Sequence, residues 1–266
     1  MTSWPPICII GAGRLAQSLV PALQNAGAEV VQVLSRRASS AESLAKTRGV
    51  ERWDEFLPGM LDERVGLVWL CTPDGAISEV VSTLAQRPHP ERRIFVHSSG
   101  STSLEILAPL GTRTGIIYPL QMFTGEGGVD FREVPIFCEA SSPDLLGLLH
   151  AWAQSISEKV QTLGSHQRLH LHLSAVWAIN FSNILLRVAQ KELASEGIDF
   201  EVLHPLLAEQ LKRVQTLGPE KAQTGPAIRG DVSTLHQHLA LLTDKPDLKA
   251  LYIELSKLIN PEVPLE

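Results

Sequence analysis

One stretch constrains this chain more than any other. The apolar run Ile7-Cys8-Ile9-Ile10 enters the turn Gly11-Ala12-Gly13-Arg14-Leu15-Ala16, a helical pattern continues to Asn25-Ala26-Gly27, and a second apolar run begins at Val30. Strand, G-x-G-x-x-A turn, helix and strand in that order are the setting that turns a weak glycine motif into a dinucleotide-binding fingerprint. Gly11 permits the tight turn, Gly13 lets the backbone approach a pyrophosphate, and Ala16 lets helix and strand pack closely. The N–H groups and dipole at the helix start attract phosphate oxygens, so Gly11, Ala12, Gly13, Arg14, Leu15 and Ala16 are the expected cofactor-binding set.

The end of the second strand selects the cofactor. Sites that prefer NAD carry Asp or Glu there to bind the ribose 2′-hydroxyl, but this chain reads Ser35-Arg36-Arg37, and Glu29 lies before the strand. Two guanidiniums and a hydroxyl suit a 2′-phosphate, because Arg presents forked donors to phosphate oxygens. Ser35, Arg36 and Arg37 therefore point to NADP(H). By themselves they also read as a solvated basic turn ahead of a helix over 40–48.

With 266 residues, 44% hydrophobic and 20% charged, the chain can bury the core of one large or two ordinary domains. A net charge of -6 gives no general attraction to nucleic acid or to an anionic membrane. Cys8, Cys71 and Cys138 sit in or at the end of apolar strand-like runs without C-x-x-C spacing, which reads as reduced, buried thiols. Residues 1–6 lack the basic start and apolar segment of a signal peptide, and no run approaches the length that spans a bilayer. The expectation is a cytoplasmic protein with no nucleic-acid or membrane partner.

Further along, Val65 to Cys71 reads as a buried parallel strand that ends in Cys71-Thr72-Pro73, with Asp74 placed to cap a helix starting near Ala76. Arg93 to Val96 makes the next strand and brings His97-Ser98-Ser99-Gly100-Ser101 to the same carboxyl edge, with Ser101 or Thr102 capping a helix through Leu107. Cys71, Thr72, Pro73 and Ser98 are thus expected beside the cofactor and Ser99 beside the reacting atoms, although turn and capping chemistry also explains such serine clusters. Strands over 115–118 and 134–138 follow, with a Gly-rich loop at 125–128 between them, then a helix over 143–157 and a last strand over 159–163. Gly164 marks a change of architecture. The fold class expected is α/β, a Rossmann-type mostly parallel sheet over 1–163 followed by an all-helical domain over 164–266.

In that second part, a helical pattern from about His166 to Ala194 is apolar on more than one face and must be buried on several sides. Shorter helices near 201–217, 231–243 and 247–259 supply only some cover, so a homodimer through the helical domain is expected. The acidic tail after Pro261 reads as frayed. Polar side chains recur on the long helix: His172 and Asn183 are about three turns apart and share a face, with Asn180 one turn before Asn183. Such a stripe needs partners, either a ligand or hydrogen bonds from a neighbouring helix. In the loop from Lys221 to Asp231, Thr224 and Arg229 could hold a substrate carboxylate, while Asp231 caps the following helix or pairs with Arg229. His170 with His172 and His236 with His238 point to different sides of a helix, so no metal site is assigned. Nothing matches a nucleophile elbow.

Taken together, Gly11-x-Gly13-x-x-Ala16, His97-Ser98-Ser99-Gly100-Ser101, Tyr118-Pro119-Leu120-Gln121-x-Phe123, His172 with Asn180, Thr224-Gly225-Pro226-x-x-Arg229-Gly230-Asp231 and His238-Leu239 resemble a family of Rossmann-like proteins that carry a C-terminal domain of unknown function and are often labelled NADP oxidoreductases. The family looks like a relative of pyrroline-5-carboxylate reductase, ketopantoate reductase and 6-phosphogluconate dehydrogenase, whose second domain is helical and commonly dimeric. The resemblance adds weight to His172 and Asn180; with Ser99 these are the expected catalytic residues, and Tyr118, Gln121, Asn183, Thr224 and Arg229 are the expected substrate-binding set. Some relatives have His in place of Tyr118 and a second Asn in place of Ile179. Hydroxyacid dehydrogenases of the superfamily use a lysine on the long helix, which this chain lacks between Gly164 and Gln190. The expected activity is NADP(H)-dependent reduction of a small, anionic imine or carbonyl compound. The rival expectation is a non-catalytic NADP(H)-binding sensor, and a deazaflavin-linked reductase is a third.

Overall fold

Strands buried on both faces need nearly continuous apolar runs, and five of the eight observed here have them. The computed structural model describes residues 3–87, 92–124 and 129–265; the Gly-rich loop expected at 125–128 lies outside the described residues. Strands β1 (Ile7–Ile10), β2 (Val30–Ser35), β3 (Arg52–Glu55), β4 (Leu67–Leu70), β5 (Ile94–His97), β6 (Thr114–Pro119), β7 (Ile136–Ala140) and β8 (Val160–Thr162) form one sheet in the order β3-β2-β1-β4-β5-β6-β7-β8. All neighbours run parallel except β6 and β7. The carboxyl ends of β1, β2, β4, β5 and β6 therefore share one edge.

Alternate residues of each strand feed two cores. Ile7, Ile9 and Trp69 pack with helices α1 (Arg14–Asn25), α2 (Ala38–Arg48) and α4 (Pro143–Ile156). Cys8, Ile10, Val68 and Leu70 pack on the other face against α3 (Ile77–Leu84) and the 3-10 turn Leu104–Leu110. All three cysteines are buried and unpaired. The edge strand β3 was not legible in the sequence: Arg-Trp-Asp-Glu is exposed and is held by backbone pairing to β2, so it carries no apolar period. The helix expected after the serine cluster is a 3-10 turn capped by Ser103, not by Ser101 or Thr102.

By its contacts the chain divides into two units, Met1–Ser182 and Asn183–Glu266, so the division falls inside the long helix and later than Gly164. The second unit holds helices His204–Leu217, Val232–Leu241 and Pro246–Ile259, with short turns Pro219–Ala222 and Pro226–Arg229 in the segment expected to be a loop. Its core is small: Ala227, Leu235, Leu239, Ile253, Val263 and Leu265. The tail after Pro261 is thus not frayed, because Val263 and Leu265 anchor it in that core.

The helix Ser165–Ser195 corrects one expectation. It is 31 residues long with a mean hydropathy of 1.3 over its most apolar window, enough by length and composition to cross a membrane, although no run had been expected to be. Its scattered His, Ser and Asn residues disguise that average. Its apolar residues, Leu169, Leu173, Trp177 and Phe181 among them, are exposed within this single chain.

Candidate active site

The Gly11 turn has the geometry its sequence calls for. Gly11 has φ +110°, and a Cβ there would lie 2.6 Å from the Cys71 carbonyl oxygen and 3.0 Å from the Thr72 nitrogen. Only glycine fits, and its lack of a side chain is what brings the Cys71-Thr72-Pro73 turn against it. Gly13 caps α1 without any side-chain bond, no acid stands in the first turn, and a Cβ on Gly13 would meet nothing within 4 Å. That open cradle at a positive helix end fits a pyrophosphate. Ala16 is fully buried where α1 meets the sheet. The Thr72 hydroxyl is buried and, among the described residues, has no partner.

At the end of β2, Ser35 is half-buried and Arg36 and Arg37 are exposed. Arg37 lines a cavity of about 540 Å³ with Ala12, Gln17, Ser40, Thr47 and Arg48. These residues fit a phosphate-bearing adenosine half of a dinucleotide, and no carboxylate lines the cavity to repel it.

The serine turn after β5 is built from hydrogen bonds. Ser98 Oγ accepts from Trp69 Nε1 (2.7 Å) and donates to the Ile117 carbonyl (2.8 Å), tying β4, β5 and β6 together. Ser99 Oγ donates to Thr102 Oγ1 (2.8 Å) and accepts from the N–H groups of Ser101 (3.2 Å) and Thr102 (2.9 Å). The Ser99 hydroxyl thus closes the turn, the turn and capping chemistry weighed beside its expected catalytic role. Asp74 is not a helix cap: it accepts from Ser101 Oγ at 2.6 Å and so joins the turns after β4 and β5. His97 is fully buried, with Nδ1 accepting from the Ser99 N–H at 3.1 Å. Burial, and after it the charge of Arg168, push its pKa down to about 4, so the ring is neutral.

Beside this turn stands a pair that can move a proton. Tyr118, at the carboxyl end of β6, is 7% exposed and its hydroxyl lies 3.2 Å from His172 Nδ1. Gly100 closes the group so tightly that a Cβ on it would come within 2.5 Å of His172 Nδ1 and 2.9 Å of Tyr118 Cζ. Burial, then the negative Asp74, raise the Tyr118 pKa, so the phenol keeps its proton and can donate it. His172 is half-buried.

Asn180 lies in a π-helical segment, Val176–Phe181, and is exposed, as is Asn183 at the start of the second unit. A π segment adds a residue to the turn, so the spacing from His172 to Asn183 no longer guarantees a shared face. Gln121 is exposed, its Oε1 accepting from the Met122 N–H at 2.8 Å. Thr224 and Arg229 are exposed in the second unit, where Asp231 caps Val232–Leu241 by accepting from Thr234 N–H and Oγ1. Among the described residues, no group of three His, Cys, Asp or Glu side chains is placed to hold a metal; His238 Nδ1 lies 2.7 Å from Tyr252 Oη. Sequence reasoning missed Arg168, whose guanidinium is 1% exposed and bonds to Glu139 and to two carbonyls of the serine turn. The available signal was an arginine one helical turn before His172 on the same helix.

Comparison with known proteins agrees with this architecture. The Rossmann-like domain family matches residues 5–123, and DUF2520, a domain of unknown function, matches 134–259. The "putative NADP oxidoreductase BF3122" from Bacteroides fragilis is 35% identical over 97% of this chain and 99% of its own, with a TM-score of 0.87. The chain belongs to this family of Rossmann-like proteins with a DUF2520 domain. The family's fold extends to more distant enzymes. A reductive aminase from Aspergillus terreus, solved with NADPH and ethyl-5-oxohexanoate, has a TM-score of 0.70 at 16% identity, covering 98% of this chain and 94% of its own. An imine reductase from Streptomyces aurantiacus has a TM-score of 0.65 at 17% identity, covering 96% and 95%. The comparison with curated proteins gives no match.

Proposed function

We propose that this chain is an NADP(H)-dependent oxidoreductase that reduces a small, anionic imine or carbonyl compound, and that Tyr118 and His172 manage its proton. The observation that carries this reading is the Tyr118 to His172 hydrogen bond at the sheet edge where the Gly11 turn lies. The nicotinamide, when bound, supplies the hydride. For a carbonyl substrate, the Tyr118 phenol gives its proton to the oxygen that gains charge, and His172 returns a proton to the phenolate through Nδ1. For an iminium substrate the proton is already in place, and the pair orients the nitrogen. Arg36 and Arg37 hold the 2′-phosphate. The second unit completes itself in a homodimer: Leu206, Leu211, Leu241 and Leu258 are each at least 60% exposed beside a six-residue core. Three free, buried thiols suit a reducing, cytoplasmic setting.

The test is a fluorescence titration of cofactor-free protein with NADPH and NADH, repeated for Arg36→Ala with Arg37→Ala. Tighter binding of NADPH, lost in the double variant, is the expected result; a chain that binds neither nucleotide overturns the reading. Turnover of cyclic imines and 2-oxo acids by the parent, and its loss in Tyr118→Phe, then separates an enzyme from a nucleotide-binding sensor.

A further inference from the structure

Buried arginines need a reason. Removing a guanidinium and a carboxylate from water costs about as much as their attraction returns, so an ion pair of this kind adds little stability over apolar side chains of the same volume. Arg168 is 1% exposed, and each of its three nitrogens is hydrogen-bonded. Nε donates to the Ser99 carbonyl at 3.1 Å, Nη2 to the Thr102 carbonyl and, at 3.4 Å, to Ser165 Oγ, and Nη1 to Glu139 Oε2. Ser165 Oγ lies 2.9 and 2.8 Å from the two Glu139 oxygens and accepts from the Leu104 N–H at 3.1 Å. One planar fork thus reads two carbonyls of a single turn while a carboxylate on β7 fixes its other side.

We infer that Arg168 is a positioning residue for the Tyr118 and His172 pair: its guanidinium fixes the turn from Ser99 to Thr102, and thereby sets Gly100 against the imidazole. Arg168 and His172 are one helical turn apart on a regular stretch that ends before the π segment, so the same helix face presents both to the same turn. The close approach of Gly100 to His172 and to the Tyr118 ring leaves no slack. If the clamp is released, the turn shifts and the Tyr118 to His172 hydrogen bond is the contact that must change. Lysine cannot substitute fully, since an ammonium is a point donor that does not span two carbonyls in a fixed plane. The inference rests on the proposed function only where that pair is called catalytic; the geometry itself can be tested without turnover.

The experiment uses the full chain with ¹⁵N-labelled histidine. Arg168→Met with Glu139→Met removes both charges together, so that neither is left buried alone, and Arg168→Lys keeps the charge but not the fork. Thermal unfolding followed by circular dichroism reports the fold, and the ring nitrogens of His172 report its bond to Tyr118. The expected result is a cooperative melt and a displaced His172 Nδ1 resonance in the double variant, with a smaller displacement in Arg168→Lys. A folded double variant with His172 resonances identical to the parent overturns the inference. If the double variant does not fold, unchanged His172 resonances in Arg168→Lys overturn it equally. A parent that binds no NADPH counts against the proposed function and leaves the resonance comparison intact.

Discussion

Gly11 and Gly13 stand two residues apart and answer to different demands. At Gly11 the backbone has φ +110° and a Cβ would strike the Cys71 carbonyl at 2.6 Å, so Gly11→Ala should cost roughly 1–3 kcal/mol in a urea denaturation experiment. At Gly13 the Cβ of alanine meets only open space, so Gly13→Ala should leave stability unchanged and weaken NADPH binding in the fluorescence titration. A variant that destabilises at Gly13 and not at Gly11 would invert the assignment. His97 gives a pH dependence of definite sign. Its pKa falls from 6.5 to about 4 on folding, so the unfolded chain binds the extra proton between those values. The stability it supports is complete above pH 6.5 and is lost as the pH falls toward 4, on the order of 3 kcal/mol in all. Comparing denaturation at pH 7.5 and 4.5 for the parent and His97→Gln should show a smaller acid loss in the variant.

At the scale of elements, α4 and α1 begin in different ways. Helix α4 begins at Ser142, whose hydroxyl accepts from the Leu145 N–H at 3.3 Å, and Pro143 follows at the first helical position. Ser142→Ala should lower stability by about 1 kcal/mol, read as a shift in the denaturation midpoint. Helix α1 has no such cap at Gly13, and its open end is where a phosphate is expected. The long helix shows the limit of periodicity. Its apolar residues were legible, but the π segment Val176–Phe181 interrupts the register on which the His172 to Asn183 stripe depended. No residue in that stretch announces a π turn.

For the whole molecule, the exposed leucines of the second unit call for a partner surface. Sedimentation velocity of the 29.1 kDa chain should give the mass of a dimer, and Leu206→Glu with Leu241→Glu should return it to a monomer; a monomeric parent would reject the proposed dimer. Most of the sheet, the phosphate turn and the helical character of the C-terminal part were decided by local sequence, since apolar period, glycine conformation and helix signals act over a few residues. What only the tertiary structure decided is which polar groups meet. Tyr118 and His172 are 54 residues apart, and Arg168 and Ser99 are 69 apart. Whether Ser99 is a reagent or the closure of a turn, and whether Asp74 caps a helix or holds Ser101, depended on partners brought in by packing. A hydroxyl or carboxylate carries the same sequence signal whatever accepts its hydrogen bond, so local chemistry could name these residues but only packing could assign their tasks.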